Sequence, residues 1–275
     1  MTSPTAYRLS RNVLPSRYNL VLEPDLDRFT FDGEAHINLI VEEPTNLIMT
    51  NAVELAVSSA AVVLKDGRTI VGEPFSDEEA ECLTVKLAET LPSGEATLHL
   101  VFTGTLNDQL RGFYRSRYEA ADGTEKFLAT TQFEATDARR AFPCWDEPNV
   151  KAIFDVTLVV PGQLAAISNM PIASETPTET GKRVVQFEPT PRMSTYLLAL
   201  IVGDLAKVEQ RDASGVLHRV WATRGKEDQG KFALAHSVRI LNYMNDYFGI
   251  PYPLPKIDHI AVPDFAAGAM ENWGA

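Results

Sequence analysis

The sequence predicts a mainly β fold, in which an antiparallel β sandwich or saddle-like layered sheet precedes a smaller segment with strands and one helix. Apolar and polar residues alternate through the first two thirds of the 275 residues, which buries one face of each strand. Turn dipeptides such as Asp66-Gly67 and Pro161-Gly162 separate the alternating runs. An apolar content of 45% is typical of a chain that folds around a core.

The individual strands follow from the same alternation. Residues 29–41 place every second side chain in one apolar row, and residues 83–87 and 96–102 repeat the pattern. Later apolar runs predict further strands at residues 126–133, 154–160, 184–188 and 195–202. The Thr/Pro/Glu-rich stretch 174–181 is predicted to be a loop. No amphipathic helix is recognisable before residue 225, and many short strands with regular turns are typical of a sandwich.

After Val202 the pattern includes a helix. Two more strands, at residues 205–210 and 217–222, precede an apolar row with helical spacing at residues 231–247. Asp228 is a suitable N-cap for this helix.

Gly249 is a suitable residue to end the helix, with Pro251 just beyond it, and a strand follows at residues 257–262. Residues 206–275 carry equal numbers of acidic and basic side chains, so the whole net charge of −12 belongs to the preceding part. We therefore predict a β domain over residues 1–204 and a second unit over residues 205–275.

Composition and charge exclude several classes of protein. A strongly acidic chain binds phosphate backbones poorly, so nucleic acid is not an expected partner. The apolar run Tyr196–Val202 is far too short to span a bilayer. Two cysteines are too few for a disulfide scaffold, and the first residues lack the apolar stretch of a secretory signal. We expect a cytoplasmic protein without a membrane partner, although a chain that had lost its leader would look the same.

Motifs for the common metal and nucleotide sites are absent from the sequence. The histidines lie too far apart to form one motif: His36, His99, His218, His236 and His259. The chain contains no H-E-x-x-H, no C-x-x-C, no glycine-rich phosphate loop and no G-x-S-x-G. We therefore predict that each histidine is structural and that the chain contains no metal ligand.

Two segments carry a family resemblance. One is residues 132–148, which begins Gln-Phe-Glu, and the other is Gly268-Ala-Met-Glu-Asn272. Together they closely resemble the aminopeptidase N family of zinc metallopeptidases, gluzincins whose exopeptidase signature is G-A-M-E-N. Three further stretches agree with the family in the same order along the chain: residues 112–116, 168–171 and 194–197.

The resemblance implies a role for two carboxylates and one amide. In the family, the glutamates that match Glu134 and Glu271 bind the free α-amine of the substrate, and the residue that matches Gln132 lines the first side-chain pocket. An α-amine with a pKa near ~8 is mostly cationic at neutral pH, and its three donors favour carboxylate acceptors. Two facing carboxylates without the amine would repel each other, so an incoming cation is favoured.

The rest of the signature is assigned to substrate pairing. The resemblance implies that the backbone of Gly268 and Ala269 pairs with the peptide, and that Met270 and Asn272 support this strand. Small side chains at the first two positions allow the substrate backbone to approach closely. Peptides with a free N-terminus are the implied partners, whereas the oligomeric state is not predictable.

Neighbouring polar residues are expected to be structural. A loop network of ion pairs is the prediction for the charged residues that surround the first motif: Asp137, Arg139, Arg140, Asp146 and Glu147. Cys144 lies between Pro143 and Trp145, and a buried, unreactive thiol is the prediction for it.

The resemblance also implies what lies outside the chain. It identifies residues 205–275 as the truncated start of a thermolysin-like α/β catalytic domain, whose zinc-binding H-E-x-x-H follows the signature. We therefore expect no catalytic residue, no bound zinc and no peptidase activity in this chain, and zinc in the full-length parent. Glu134 favours an ordinary aminopeptidase, because the epoxide-hydrolysing branch of the family carries Gln there.

A second hypothesis from another class stays open. The chain could be a non-catalytic, β-rich binding or interaction module, or a scaffold paralogue of the enzymes. The intact Glu271 argues against a scaffold paralogue. The reading frame of the parent beyond Ala275 discriminates the two, because only the peptidase requires H-E-x-x-H there.

Overall fold

The structure is a computed structural model that describes residues 8–275. The prediction that no apolar leader is present falls on residues 1–7, which lie outside the residues that the structure describes. In chain order the elements are β1 (Val13–Asp25), β2 (Thr30–Val41), β3 (Thr45–Asn51), β4 (Leu55–Leu64), β5 (Thr69–Asp77), β6 (Cys82–Leu91), β7 (Gly94–Thr105), β8 (Gly112–Glu119), β9 (Glu125–Gln132), β10 (Ile153–Pro161), β11 (Ala165–Ser168), β12 (Ile172–Pro177), β13 (Lys182–Phe187), β14 (Leu200–Gly203), β15 (Leu205–Arg211), β16 (Leu217–Thr223), α1 (Lys231–Phe248) and β17 (Lys256–Ile260).

The strands form three sheets. A ten-stranded sheet has the order β12-β13-β10-β1-β2-β7-β4-β5-β6-β3, and every neighbouring pair in it is antiparallel except β1 with β10. A four-stranded sheet has the order β11-β14-β9-β8, and β15-β16-β17 form the third sheet. The mainly β fold predicted from the alternation is confirmed.

One large apolar core joins the first two sheets. Inward-facing residues of the ten-stranded sheet, such as Leu20 and Ile37, belong to the same buried cluster as Phe113 and Phe133 beside the four-stranded sheet. The ring of Tyr18 stacks on Phe154 with centroids 4.9 Å apart. Burial of alternate side chains on both sheets is the layered arrangement that the period-2 pattern predicts.

Two local predictions are wrong. The predicted strand 195–202 begins with a 3₁₀ turn at Thr195–Leu197, and only Leu200–Gly203 is extended in a sheet. Side-chain hydrogen bonds hold this turn: the amide of Asn169 donates to Leu197 O at 2.8 Å, and the hydroxyl of Thr195 donates to the Asp146 carboxylate at 2.7 Å. The predicted loop 174–181 begins within the fully exposed edge strand β12, which lacks the buried row that reveals a strand.

The helix and its flanking strands complete the chain. α1 ends at Phe248, and the next residue, Gly249, has a left-handed φ of 63°, as predicted for the residue that ends the helix. The N-cap prediction is wrong, because Gly230 precedes the helix, and Asp228 lies in a 3₁₀ turn with an ion pair to Lys231 at 2.8 Å. No helix in residues 8–275 is long and apolar enough to cross a membrane. The division at residues 204 and 205 stays a prediction.

The ion-pair network predicted around the first motif is present. Arg139 binds Asp146 at 3.1 Å and Glu81 at 2.8 Å, and Arg140 binds Asp137 at 2.8 Å. Glu147 pairs instead with Arg11 at 2.6 Å, across more than 130 residues of sequence. These contacts fasten the loop to the large sheet.

Cys144 lies in the same loop and is fully buried. Burial raises the pKa of its thiol well above the usual value. A thiol that stays protonated is a poor nucleophile, which agrees with the structural role predicted for it.

Candidate active site

A cavity of about 920 Å³ lies between the four-stranded sheet and the last part of the chain. Thr130 and Thr131 of β9 and Ala199 before β14 form one wall. The opposite wall contains the whole signature segment, residues 268–272. Five of the seven residues predicted to bind substrate therefore line one concave surface, which is the usual shape of a ligand site.

The signature segment is not a strand in this structure. Residues 268–272 adopt bends and irregular backbone with no ladder hydrogen bonds, so the predicted strand at this position is not observed. Side chains hold the segment instead: Asn169 donates to Trp273 O at 2.9 Å, and Asn272 donates to Tyr196 O at 3.4 Å. An extended segment becomes a strand only when another strand edge pairs with it, and the described residues provide none here.

Gln132 joins the two predicted motifs. Its side chain is buried at the end of β9, and its Nε2 donates to the sulfur of Met270 at 3.4 Å. Its Oε1 is buried and has no hydrogen-bond partner within residues 8–275. A buried, unpaired acceptor is costly in a folded protein, so this oxygen is suited to a donor from a ligand.

The two glutamates are both exposed. Glu134 follows the end of β9 by two residues, and Glu271 lies on the cavity wall. Neither carboxylate forms a hydrogen bond or ion pair with another described residue. Their oxygens are therefore free to accept hydrogen bonds from a cationic group that enters from solvent.

A buried lysine, which the sequence analysis missed, fixes the far end of the cavity wall. The Nζ of Lys256 donates to Gly274 O at 2.6 Å, to Ser168 O at 2.9 Å and to Asp258 at 2.7 Å. Arg219 completes the network with a 2.7 Å bond to Asp258. Burial lowers the pKa of Lys256 to about 8, against the opposing effect of Asp258. The Lys-Ile-Asp spacing places two charges on one face of a strand, and it is the signal in the sequence from which this buried pair could have been predicted.

Strand β8 holds the beginning of the same wall. Tyr114 donates its hydroxyl to Asp264 O at 2.8 Å, and Ser116 accepts from Asp264 N at 2.8 Å. The backbone of Arg117 donates to the Asp264 carboxylate at 3.0 Å. Burial raises the pKa of Tyr114, so the hydroxyl keeps the proton that it donates. These hydrogen bonds connect the stretch 112–116 to the segment at residue 264 beside the cavity, although the two segments are far apart in the sequence.

The cavity does not offer a set of ligands for zinc. In the part of the chain that the structure describes, the one group of three potential metal ligands is Glu34, His36 and His99, on the outer face of the ten-stranded sheet. At the cavity, Asp258 is bound by Lys256 and Arg219, while His259 bonds to Ser237. The residues present at the cavity therefore do not fit a catalytic zinc.

Comparison with known proteins identifies the family. The Peptidase M1 N-terminal domain matches residues 14–197, which is more than half of the chain, and the Peptidase family M1 domain matches residues 232–275. The chain belongs to peptidase family M1. The resemblance drawn from the two motifs is thereby confirmed, and the M1 chain combines a match to the N-terminal domain with a match to the M1 domain.

Several curated relatives cover almost all of this M1 chain. It is 47% identical over 269 residues to the puromycin-sensitive aminopeptidase of Caenorhabditis elegans, covering 97% of this chain and 28% of the relative. It is 49% identical to aminopeptidase M1-C of Oryza sativa subsp. japonica, over 97% of this chain and 30% of that relative. It is 44% identical to the mitochondrial aminopeptidase 2 of Saccharomyces cerevisiae, over 99% of this chain and 28% of that relative. The M1 chain thus spans less than a third of the length of these relatives.

Proposed function

We propose that this chain is the N-terminal portion of a zinc-dependent aminopeptidase that removes N-terminal residues from peptides. The observation that carries the proposal is the cavity wall formed by residues 268–272, with the free carboxylate of Glu271 on it and Met270 bonded to Gln132. The names of the relatives, which are aminopeptidases, support the same activity for the parent protein.

In this proposal the chain recognises the end of the peptide. Glu271 and Glu134 accept hydrogen bonds from the α-ammonium group, and a blocked terminus is rejected because it has no charge and fewer donors. The backbone at Gly268 borders open space, since a Cβ added there would meet no atom within 4 Å. A peptide backbone can therefore approach Gly268 and Ala269 closely, and we assign Gln132 to the pocket for the first side chain.

Bond cleavage is assigned to other parts of the parent. Zinc, when bound, supplies Lewis-acid activation of the scissile carbonyl and of a water molecule. We propose that its ligands are not among residues 8–275, so this chain binds and orients the substrate but has no peptidase activity by itself. The cytoplasmic location stays a prediction, which imaging of the tagged parent tests.

The proposal is tested by titrating the 275-residue chain with one short peptide in free-amine and N-acetylated forms. We expect the acetylated peptide to bind at least tenfold more weakly. Glu271→Gln and Glu134→Gln should each weaken binding of the free-amine peptide by about 10- to 100-fold, since a hydrogen bond to a charged group contributes about 1.5–3 kcal/mol. Glu179→Gln, which changes an exposed glutamate in a distant loop, is the matched control.

Equal binding of both peptide forms would contradict the proposed amine recognition. A parent protein that binds free-amine peptides but never cleaves them would instead support the scaffold hypothesis. Unchanged kcat/KM for free-amine substrates in the Glu271→Gln parent would refute the role of Glu271.

A further inference from the structure

Three potential metal ligands meet on the outer face of the ten-stranded sheet, away from the cavity. His36 of β2 and His99 of β7 are directly opposite in the antiparallel register, and their rings stack with centroids 4.3 Å apart and planes 9° from parallel. Glu34 lies two residues before His36, on the same face of β2. Its Oε1 is 2.9 Å from Nε2 of His36 and 2.8 Å from Nε2 of His99.

The cluster is accessible from solvent. The side chains of His99, His36 and Glu34 keep 29%, 43% and 45% of their surface exposed, so an ion reaches them without opening the sheet. The hydrogen bond from His36 lowers the pKa of the Glu34 carboxyl, which is therefore ionised at neutral pH. Both Nε2 atoms converge on a single carboxylate oxygen, Oε1 of Glu34.

We propose that Glu34, His36 and His99 form a binding site for a divalent first-row transition-metal ion of the Zn²⁺ class. Two imidazole nitrogens and one carboxylate oxygen are common zinc ligands, and water fills the remaining position of a tetrahedral site with three protein ligands. The three donor atoms already lie within 4.8 Å of one another.

Metal binding requires the two rings to turn out of the stacked arrangement, so that their in-plane Nε2 lone pairs converge on the ion, and requires the proton on each Nε2 to leave or to move to Nδ1. With bonds of about 2.0–2.1 Å to the ion, ligand atoms of a tetrahedral site are about 3.4 Å apart. The present N···O separations of 2.8 and 2.9 Å must widen by a few tenths of an ångström. Partly exposed side chains make that change without moving β2 or β7, whose backbones remain paired.

The test is a titration of the 275-residue chain with Zn²⁺, followed by calorimetry, with Co²⁺ absorption to report ligand geometry. We expect one equivalent of Zn²⁺ in the wild-type chain. His36→Gln and His99→Gln should each weaken binding at least tenfold, and Glu34→Gln should weaken it as well. His236→Gln, which removes a histidine on α1, is the matched control and should bind Zn²⁺ as the wild type does.

The outcomes separate this site from any catalytic zinc. The sequence contains no H-E-x-x-H, so the stoichiometry reports on this cluster. Zn²⁺ should also raise the melting temperature of the wild-type chain but not that of the His36→Gln/His99→Gln double variant. Absence of saturable binding to the wild-type chain, or equal affinity in the wild type and both single variants, would overturn the proposal.

Discussion

At the scale of single residues, Lys256 has the largest structural consequence near the cavity. A cation removed from water is costly unless several acceptors surround it. Lys256 has three acceptors, one of which is the carbonyl of Gly274 beside the signature segment. The lysine therefore couples the position of the cavity wall to β11 and β17.

Replacing this lysine should loosen the wall. Lys256→Met removes the lysine donor from Ser168 O, leaves Gly274 O with the backbone N–H of Asp258 alone, and leaves the Asp258 carboxylate with Arg219 alone. We expect a loss of about 3–5 kcal/mol in the free energy of unfolding, because one partner of a buried pair is removed. Denaturant titration measures the loss, and hydrogen exchange should become faster at the amide of Asp258, which donates to Gly274 O at 3.1 Å.

An exposed ion pair provides the control for this comparison. Lys65 pairs with Glu95 at 3.0 Å on the surface, and Lys65→Met should cost at most about 1 kcal/mol. Equal losses for the two variants would show that burial does not determine the contribution of Lys256.

At the scale of elements, α1 is fastened to the third sheet by polar contacts. The hydroxyl of Ser237 on α1 lies 2.7 Å from Nδ1 of His218 on β16 and 2.8 Å from Nε2 of His259 on β17. Asp212 holds the other nitrogen of His218 at 3.3 Å. One serine thus links the helix to two strands, which suits a structural role for both histidines.

Docking of α1 should weaken in acid. Although much of the His259 side chain is exposed, desolvation of its ring beside Ser237 lowers its pKa below the usual 6.5. Above pH 6.5 the ring is neutral in both the folded and the unfolded chain, so its titration does not change the free energy of unfolding there. As the pH falls below 6.5, the unfolded chain takes up the proton first, so the free energy of unfolding decreases.

Thermal unfolding between pH 7.5 and 5 measures this effect. The destabilisation caused by His259→Gln should be largest at neutral pH and should shrink as the pH falls. His236→Gln should leave the pH dependence unchanged. A constant difference between the wild type and His259→Gln across this range would contradict the assignment.

At the scale of the whole molecule, a second apolar cluster joins the two predicted domains. Tyr118, Leu128 and Ile201 on the four-stranded sheet pack with Leu205 and Trp221 of the third sheet. The main core, by contrast, is formed entirely by residues before the predicted boundary. The first domain should therefore fold by itself, with one apolar face exposed.

Residues 1–204 expressed alone should unfold cooperatively. We expect a lower melting temperature than for the full chain, and increased binding of an apolar dye at the uncovered face of the four-stranded sheet. Calorimetry and dye fluorescence measure both. Absence of a cooperative transition would place the boundary elsewhere.

Local sequence patterns are enough to predict the mainly β fold, most strands and the family. These features depend on local patterns, because a period of two predicts a strand wherever it occurs and a motif is recognisable from adjacent residues. Glu134, Glu271 and Gln132 were selected on that basis, and their substrate-binding roles stay proposals. Strands without a buried row, such as β12, could not be recognised in this way.

Which distant residues meet depends on how the strands and loops pack in the folded protein. The stacked pair of His36 and His99 was not predictable from the sequence, because strand register, not sequence spacing, brings them together. The burial of Lys256 and the irregular backbone of residues 268–272 likewise depend on which elements pack around them. Such contacts join segments far apart along the chain, and no local pattern specifies them.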